Sequence, residues 1–154
     1  MNEEIVAKRE VPELPEEIRI QYANESFCSE ERSEIPDLSE TGVRDIVEKV
    51  RNGTYWSLFL CPDDCGEVGY LLMERSEELI FLQISDALSR TAWACFDPDY
   101  LDSDEEAPIE CSDGQSIVAM KTTMKDRDLT AKCVEWYIHT LEPYPGMDWL
   151  KMTW

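Results

Sequence analysis

The stretch between residues 54 and 96 constrains the fold of this 154-residue chain more than any other part of it. Four strand-like runs, at 54–60, 67–73, 79–85 and 91–96, follow one another with only a few residues between them. Parallel neighbours need crossovers of a dozen or more residues, so runs this close predict an antiparallel meander. The first break is the turn Cys61-Pro62-Asp63-Asp64-Cys65-Gly66, and the second is the charged stretch 74–78. Tyr55, Trp56, Phe59, Tyr70, Phe81, Trp93 and Phe96 supply aromatic mass that suits a sheet covered on one face.

Two amphipathic helices flank the meander in the sequence. Val43, Ile46, Val47 and Val50 recur at i, i+3, i+4 and i+7, with Asp37 or Ser39 placed to cap the start and Asn52-Gly53 to stop it. After the meander a further strand is predicted at 115–122, and a second helix from Asp126. At 100° per residue, Leu129, Cys133, Val134, Trp136, Tyr137, Ile138 and Leu141 share one wide arc, and Lys132, Glu135, His139 and Glu142 share the other. Pro143 and Pro145 end it, and 147–154 offers a last strand. Residues 1–40 hold 12 acids against 4 bases and one short alternating strand, predicted at 17–22. The fold class expected is α+β: a single domain, an antiparallel meander, and two helices packed on one face of it.

Composition enters as a bound on function. Apolar residues are 43% of the chain and aromatic residues 10%, enough to build a core, which excludes wholesale disorder. Asp and Glu number 34 against 14 Lys and Arg, a formal net charge of −20. A surface of that sign repels phosphate backbones, so direct nucleic-acid binding is not expected, and docking on anionic lipid is disfavoured. No apolar run approaches the roughly 18 residues of a membrane span, and Met1-Asn2-Glu3-Glu4 lacks the basic-then-apolar order of a signal peptide. A cytoplasmic protein is the expectation, with its six cysteines as free thiols.

Sites for chemistry are sparse. His139, the only histidine, falls on the polar arc of the second helix with no sequence motif to supply a nucleophile. Cys61 and Cys65 have zinc-like spacing but lack a second pair, so no metal is expected there. Asp102, Asp104, Glu106, Pro108, Glu110 and Asp113 mimic the register of a calcium loop. Ala107 stands where the sharp turn needs glycine, and the twelfth ligand is Asp. Paired carboxylates would suit a hydrolase, yet acids in a loop are poorly held for that work. Phosphate-binding glycine loops, Gly-x-Ser-x-Gly and His-Glu-x-x-His are all missing. No cofactor and no catalytic residue is predicted.

One segment departs from the average. Residues 97–114 carry eight acids and no base in 18 residues, where an even spread would give about four. The segment is read as an acidic loop, and Asp97, Asp99, Asp102, Asp104, Glu105 and Glu106 as part of a surface that meets a basic partner. Tyr100 and Leu101, apolar residues inside the cluster, are either the anchor of that surface or the residues that tuck the loop onto the sheet.

From residue 43 onward the chain resembles the immunity proteins of bacterial polymorphic toxin systems, and among them the first-numbered immunity family. The segments that carry the resemblance are Val68-Gly69-Tyr70-Leu71-Leu72, Leu79-Ile80-Phe81-Leu82-Gln83, and the tail from Ala131-Lys132-Cys133-Val134-Glu135-Trp136-Tyr137 to Pro145-Gly146-Met147-Asp148-Trp149. In that family a closing helix is followed by a Gly/Pro turn and a tryptophan. The resemblance implies a cytosolic α+β protein without catalytic residues, which binds and neutralises a cognate toxin C-terminal domain, often a nuclease. Acidic balance agrees with a basic partner of that kind. The runner-up is an acidic adaptor or regulatory domain that binds another basic protein, and the third reading is a carboxylate-based hydrolase.

Overall fold

The computed structural model describes residues 1–28, 31–64, 66–111 and 116–154. In chain order the elements are β1 (Asn2–Val6), β2 (Tyr22–Ser26), β3 (Ser33–Glu34), α1 (Glu40–Arg51), β4 (Ser57–Cys61), β5 (Gly69–Ser76), β6 (Leu79–Asp86) and β7 (Thr91–Ala94). They continue with β8 (Glu106–Cys111), β9 (Ser116–Ala119), β10 (Thr123–Met124), α2 (Arg127–Thr140) and β11 (Trp149–Thr153). One antiparallel sheet runs β1-β11-β7-β6-β5-β4-β2-β3, with β10 added beside β6, and β8 pairs with β9 as a separate hairpin. The expected meander is its centre, β4 to β7, and the α+β class holds.

Register explains the two faces. Leu60, Leu71, Ile84 and Trp93 are successive cross-strand partners, and so are Leu58, Met73 and Leu82 one row along. Side chains alternate across a strand, so these rows share one face. Both helices cover that face: Val43, Ile46, Val47 and Val50 of α1 and Ala131, Cys133, Val134, Tyr137 and Ile138 of α2 share a single buried cluster with the sheet residues.

Local chemistry sets the helix ends. Ser39 Oγ accepts from the Gly42 amide at 3.4 Å, and Asp37 accepts from the Ser39 amide at 2.9 Å, so both candidate caps take part. Gly53 stops α1 at a φ of +69°, a left-handed conformation that suits glycine. Asp126 caps α2 by accepting from the Leu129 amide at 2.9 Å. At the other end Leu141 takes the left-handed position itself, at a φ of +62°, and its amide donates to Tyr137 O at 2.8 Å. The last strand is inserted between β7 and β1, and Trp149 Nε1 donates to Tyr144 O at 2.8 Å, which pins the proline turn.

Three sequence expectations need correction. The strand predicted at 17–22 reaches ladder geometry only at Tyr22, where β2 begins. Residues 17–19 cross the end of α2 instead: the Arg19 amide donates to Ile138 O at 2.8 Å. The alternation was a true burial signal, since Ile20 is buried and Ile18 half-buried while Glu17, Arg19 and Gln21 are exposed. The first 40 residues hold three strands rather than one. The break expected at 74–78 is shorter, because β5 runs to Ser76 and only Glu77-Glu78 turns, with Glu77 at a φ of +54°. Glu74 is therefore a buried acid, 2% exposed, with Arg32 Nη2 3.7 Å from it.

Candidate functional site

A further correction concerns the acidic segment itself. It is not a loop throughout: residues 98–100 form a 3-10 turn, and β8 takes up 106–111. Ser112, Asp113 and Gly114, the end of the predicted loop, lie outside the described residues. The physical reason is alternation within Glu106-Ala107-Pro108-Ile109. Ala107 and Ile109 are buried while Glu106 and Pro108 are exposed, which is the pattern of a strand with one apolar face. With Val118 and Met120 they close over Phe81 on the sheet face opposite the helices, forming a second, smaller apolar cluster.

Backbone hydrogen bonds fix the acidic segment in place. The Asp97 amide donates to Lys121 O at 2.8 Å, the Ser103 amide to Tyr100 O at 2.9 Å, and the Met120 amide to Glu105 O at 2.9 Å. Asp97 Oδ1 accepts from the Asp99 amide at 3.0 Å and so caps the short turn. Asp99, Asp102, Asp104, Glu105 and Glu106 are exposed, and Asp97 is half-buried. None of the ion pairs among the described residues engages any of the six. Other acids do find bases: Glu3 with Lys121, Glu4 with Lys151, Glu78 with Lys125. Tyr100 packs against the small cluster and Leu101 is half-buried, so the structure brings Tyr100 to the sheet.

The candidates for chemistry are separated from one another. His139 is half-buried, and its Nδ1 lies 2.8 Å from Glu17 O, a contact with backbone rather than with a nucleophile. It borders a groove of about 790 Å³ between the 14–18 segment and the two helices, floored by Leu14, Ile18, Val43 and Val47. Glu16 and Glu135 line it too, and its two arginines, Arg44 and Arg51, are paired with Glu40 and Glu48. Cys61 is buried, its Sγ 3.0 Å from Asp63 O, and burial pushes its thiol up to about 11. Cys65, the other cysteine of the zinc-like spacing, lies outside the described residues. Among the described residues no three His, Cys, Asp or Glu side chains gather as a metal site.

The sequence reading missed a charged knot at the other end of the sheet. Lys49 Nζ stands 2.9 Å from Asp45 and 3.8 Å from Glu25, tying α1 to β2. Asp45 and Glu25 hold its ammonium above the ordinary lysine range against the opposing cost of burial. Phe27 stacks on Tyr55 at 5.6 Å, with the Lys49 ammonium 5.4 Å from the Phe27 ring centre. Burial, and then the neighbouring Glu25 carboxylate, raise the Tyr55 phenol above its usual value. The only sequence signal for this knot was the i,i+4 spacing of Asp45 and Lys49. It is a fastening, since its one strong base is already neutralised.

No protein family, no curated protein and no solved structure matches this chain. No helix among the described residues is long and apolar enough to cross a membrane.

Proposed function

We propose that this chain is an immunity protein, which binds a basic toxin domain one to one and covers its active site or substrate groove in the cytoplasm. The observation that carries the reading is the set of six acids from Asp97 to Glu106. They stand on hydrogen-bonded backbone without an ion-pair partner among the described residues. Like charges held close together repel, and a partner's Lys and Arg relieve that repulsion. The net charge of −20 extends the attraction beyond contact distance, and the resemblance of the 68–72, 79–83 and 131–149 segments to immunity proteins supplies the class of partner.

The test uses the toxin domain encoded beside this chain's gene, co-expressed with it and then purified. A one-to-one complex with toxicity abolished is the expected result. Replacing Asp97, Asp99, Asp102 and Asp104 by Asn and Glu105 and Glu106 by Gln should slow association and flatten its salt dependence, because steering scales with the charge removed. A neighbouring toxin domain that is unaffected by the chain overturns the reading. So does a gene neighbourhood without one, and the adaptor alternative then takes its place.

A further inference from the structure

The sheet face opposite the helices is only partly covered by the acidic hairpin. Beyond it, Tyr22 on β2, Phe59 on β4 and Tyr70 on β5 form a row across three strands. The Tyr22 and Phe59 ring centres are 6.5 Å apart, edge to face, and those of Phe59 and Tyr70 are 5.4 Å apart. All three are half-buried, so each ring is anchored in the sheet and keeps part of its surface in water. Register puts them on this face: Phe59 pairs with Leu72, and Leu72 packs against the hairpin's apolar cluster.

Acids border the row on two sides. Glu34 of β3 pairs with Asn24 of β2, which sets its exposed side chain on the same face. The turn that carries exposed Asp64 and Glu67 lies against Phe59, because a Cβ on Gly66 would stand 2.9 Å from the Phe59 ring. Arg32, the base nearest to Glu34 in the sequence, is drawn to buried Glu74. Elsewhere the chain does place a cation over an aromatic pair, Lys49 over Phe27 and Tyr55, but among the described residues no cation stands over this row.

Aromatic faces flanked by carboxylates suit one side chain above others. Arginine stacks its planar guanidinium on a ring and donates to carboxylates at its edge, and it is more weakly hydrated than lysine. Resting on the reading that the partner is a basic protein, we propose that the Tyr22–Phe59–Tyr70 row is the docking site for an arginine-bearing segment of that partner. The hairpin acids steer the approach, and the row supplies the anchor that Tyr100, folded onto the sheet, does not.

Nona-arginine and nona-lysine peptides separate stacking from charge, since the two carry the same charge. Titrated into the intact chain and followed by amide chemical shifts, nona-arginine should perturb Tyr22, Phe59 and Tyr70 first. Tyr22→Leu with Tyr70→Leu keeps the apolar cover and removes two π faces. It should weaken nona-arginine about tenfold and nona-lysine less than about twofold, with an unchanged circular dichroism spectrum as the control on folding. Equal losses for both peptides overturn the proposal, and so do shifts confined to the hairpin with the row silent. Binding that survives the double variant but fails in the six-acid variant sinks this site and leaves the immunity reading standing. If neither peptide binds in dilute salt, the basic-partner reading falls with it. A dimer in sedimentation that the double variant dissociates would show the row to be covered by a second copy instead.

Discussion

Burial separates the thiols of this chain. Cys95 is 1% exposed, with its Sγ 3.3 Å from Thr122 O, and burial pushes its thiol up to about 12. Cys133 is fully buried and raised well above the ordinary cysteine value, and Cys61 is held near 11. Because the thiolate is the reactive form, none of the three ionises appreciably at neutral pH. Cys28 is exposed. A thiol reagent applied to the native protein should therefore label Cys28 within minutes and leave Cys61, Cys95 and Cys133 unmodified until urea unfolds the chain. Peptide mapping that finds Cys95 or Cys133 labelled in the native state would contradict the packing of the core. All three lie in apolar or turn segments that the sequence marks, but their depth is a property of the assembled helix and sheet layers.

At the scale of elements, the two apolar clusters predict two kinds of failure. Trp136 on α2 is 6% exposed and stacks edge-on against Tyr144 at 6.0 Å between ring centres. Trp136→Ala should cost about 3–5 kcal/mol of global stability in urea melts, as large-to-small core changes do. Ile109 is as buried as Trp136, at 5%, but it belongs to the small cluster under the β8–β9 hairpin. Ile109→Ala should speed hydrogen exchange in β8 and β9 while the amides of β4 to β6 keep their protection, because a satellite cluster opens below the global free energy. Equal loss of global stability in the two variants would show that hairpin and sheet unfold as one unit. His139→Ala removes a single contact to Glu17 O and should cost about 0.5–1.5 kcal/mol. The two helices were legible because their apolar residues recur on one arc over several turns, and the meander because its strands follow one another so closely in sequence. Of the hairpin, β9 falls within the strand predicted at 115–122, whereas β8 was hidden, since acid content masked two buried apolar residues at alternating positions.

For the whole molecule the dominant quantity is charge. A net of −20 on 154 residues places the chain under its own repulsion, and only part of its acidity is offset by the ion pairs of the described residues. Screening that repulsion should raise stability, so the urea midpoint is expected to increase from low to moderate salt and then level off as the Debye length shortens. The six-acid variant should start higher and gain less. A midpoint that falls with added salt would mean that ion pairs such as Lys49 with Asp45 and Glu25 outweigh the net repulsion.

Sequence alone determined the class of this protein: antiparallel strands because their connections are short, two helices because their apolar residues recur on one arc, and a strong negative charge because its sign is fixed by composition. Those are properties of neighbours along the chain or of simple sums over it. Tertiary structure decided what depends on residues far apart. It placed β11 between β7 and β1, carried 17–19 to the end of α2, buried Glu74, folded Tyr100 onto the sheet, and brought Tyr22, Phe59 and Tyr70 into one row. Strand order and register set each of these, because a shift of one residue reverses the face that every side chain presents. No local pattern records that choice; it is made when distant strands pair and the layers close.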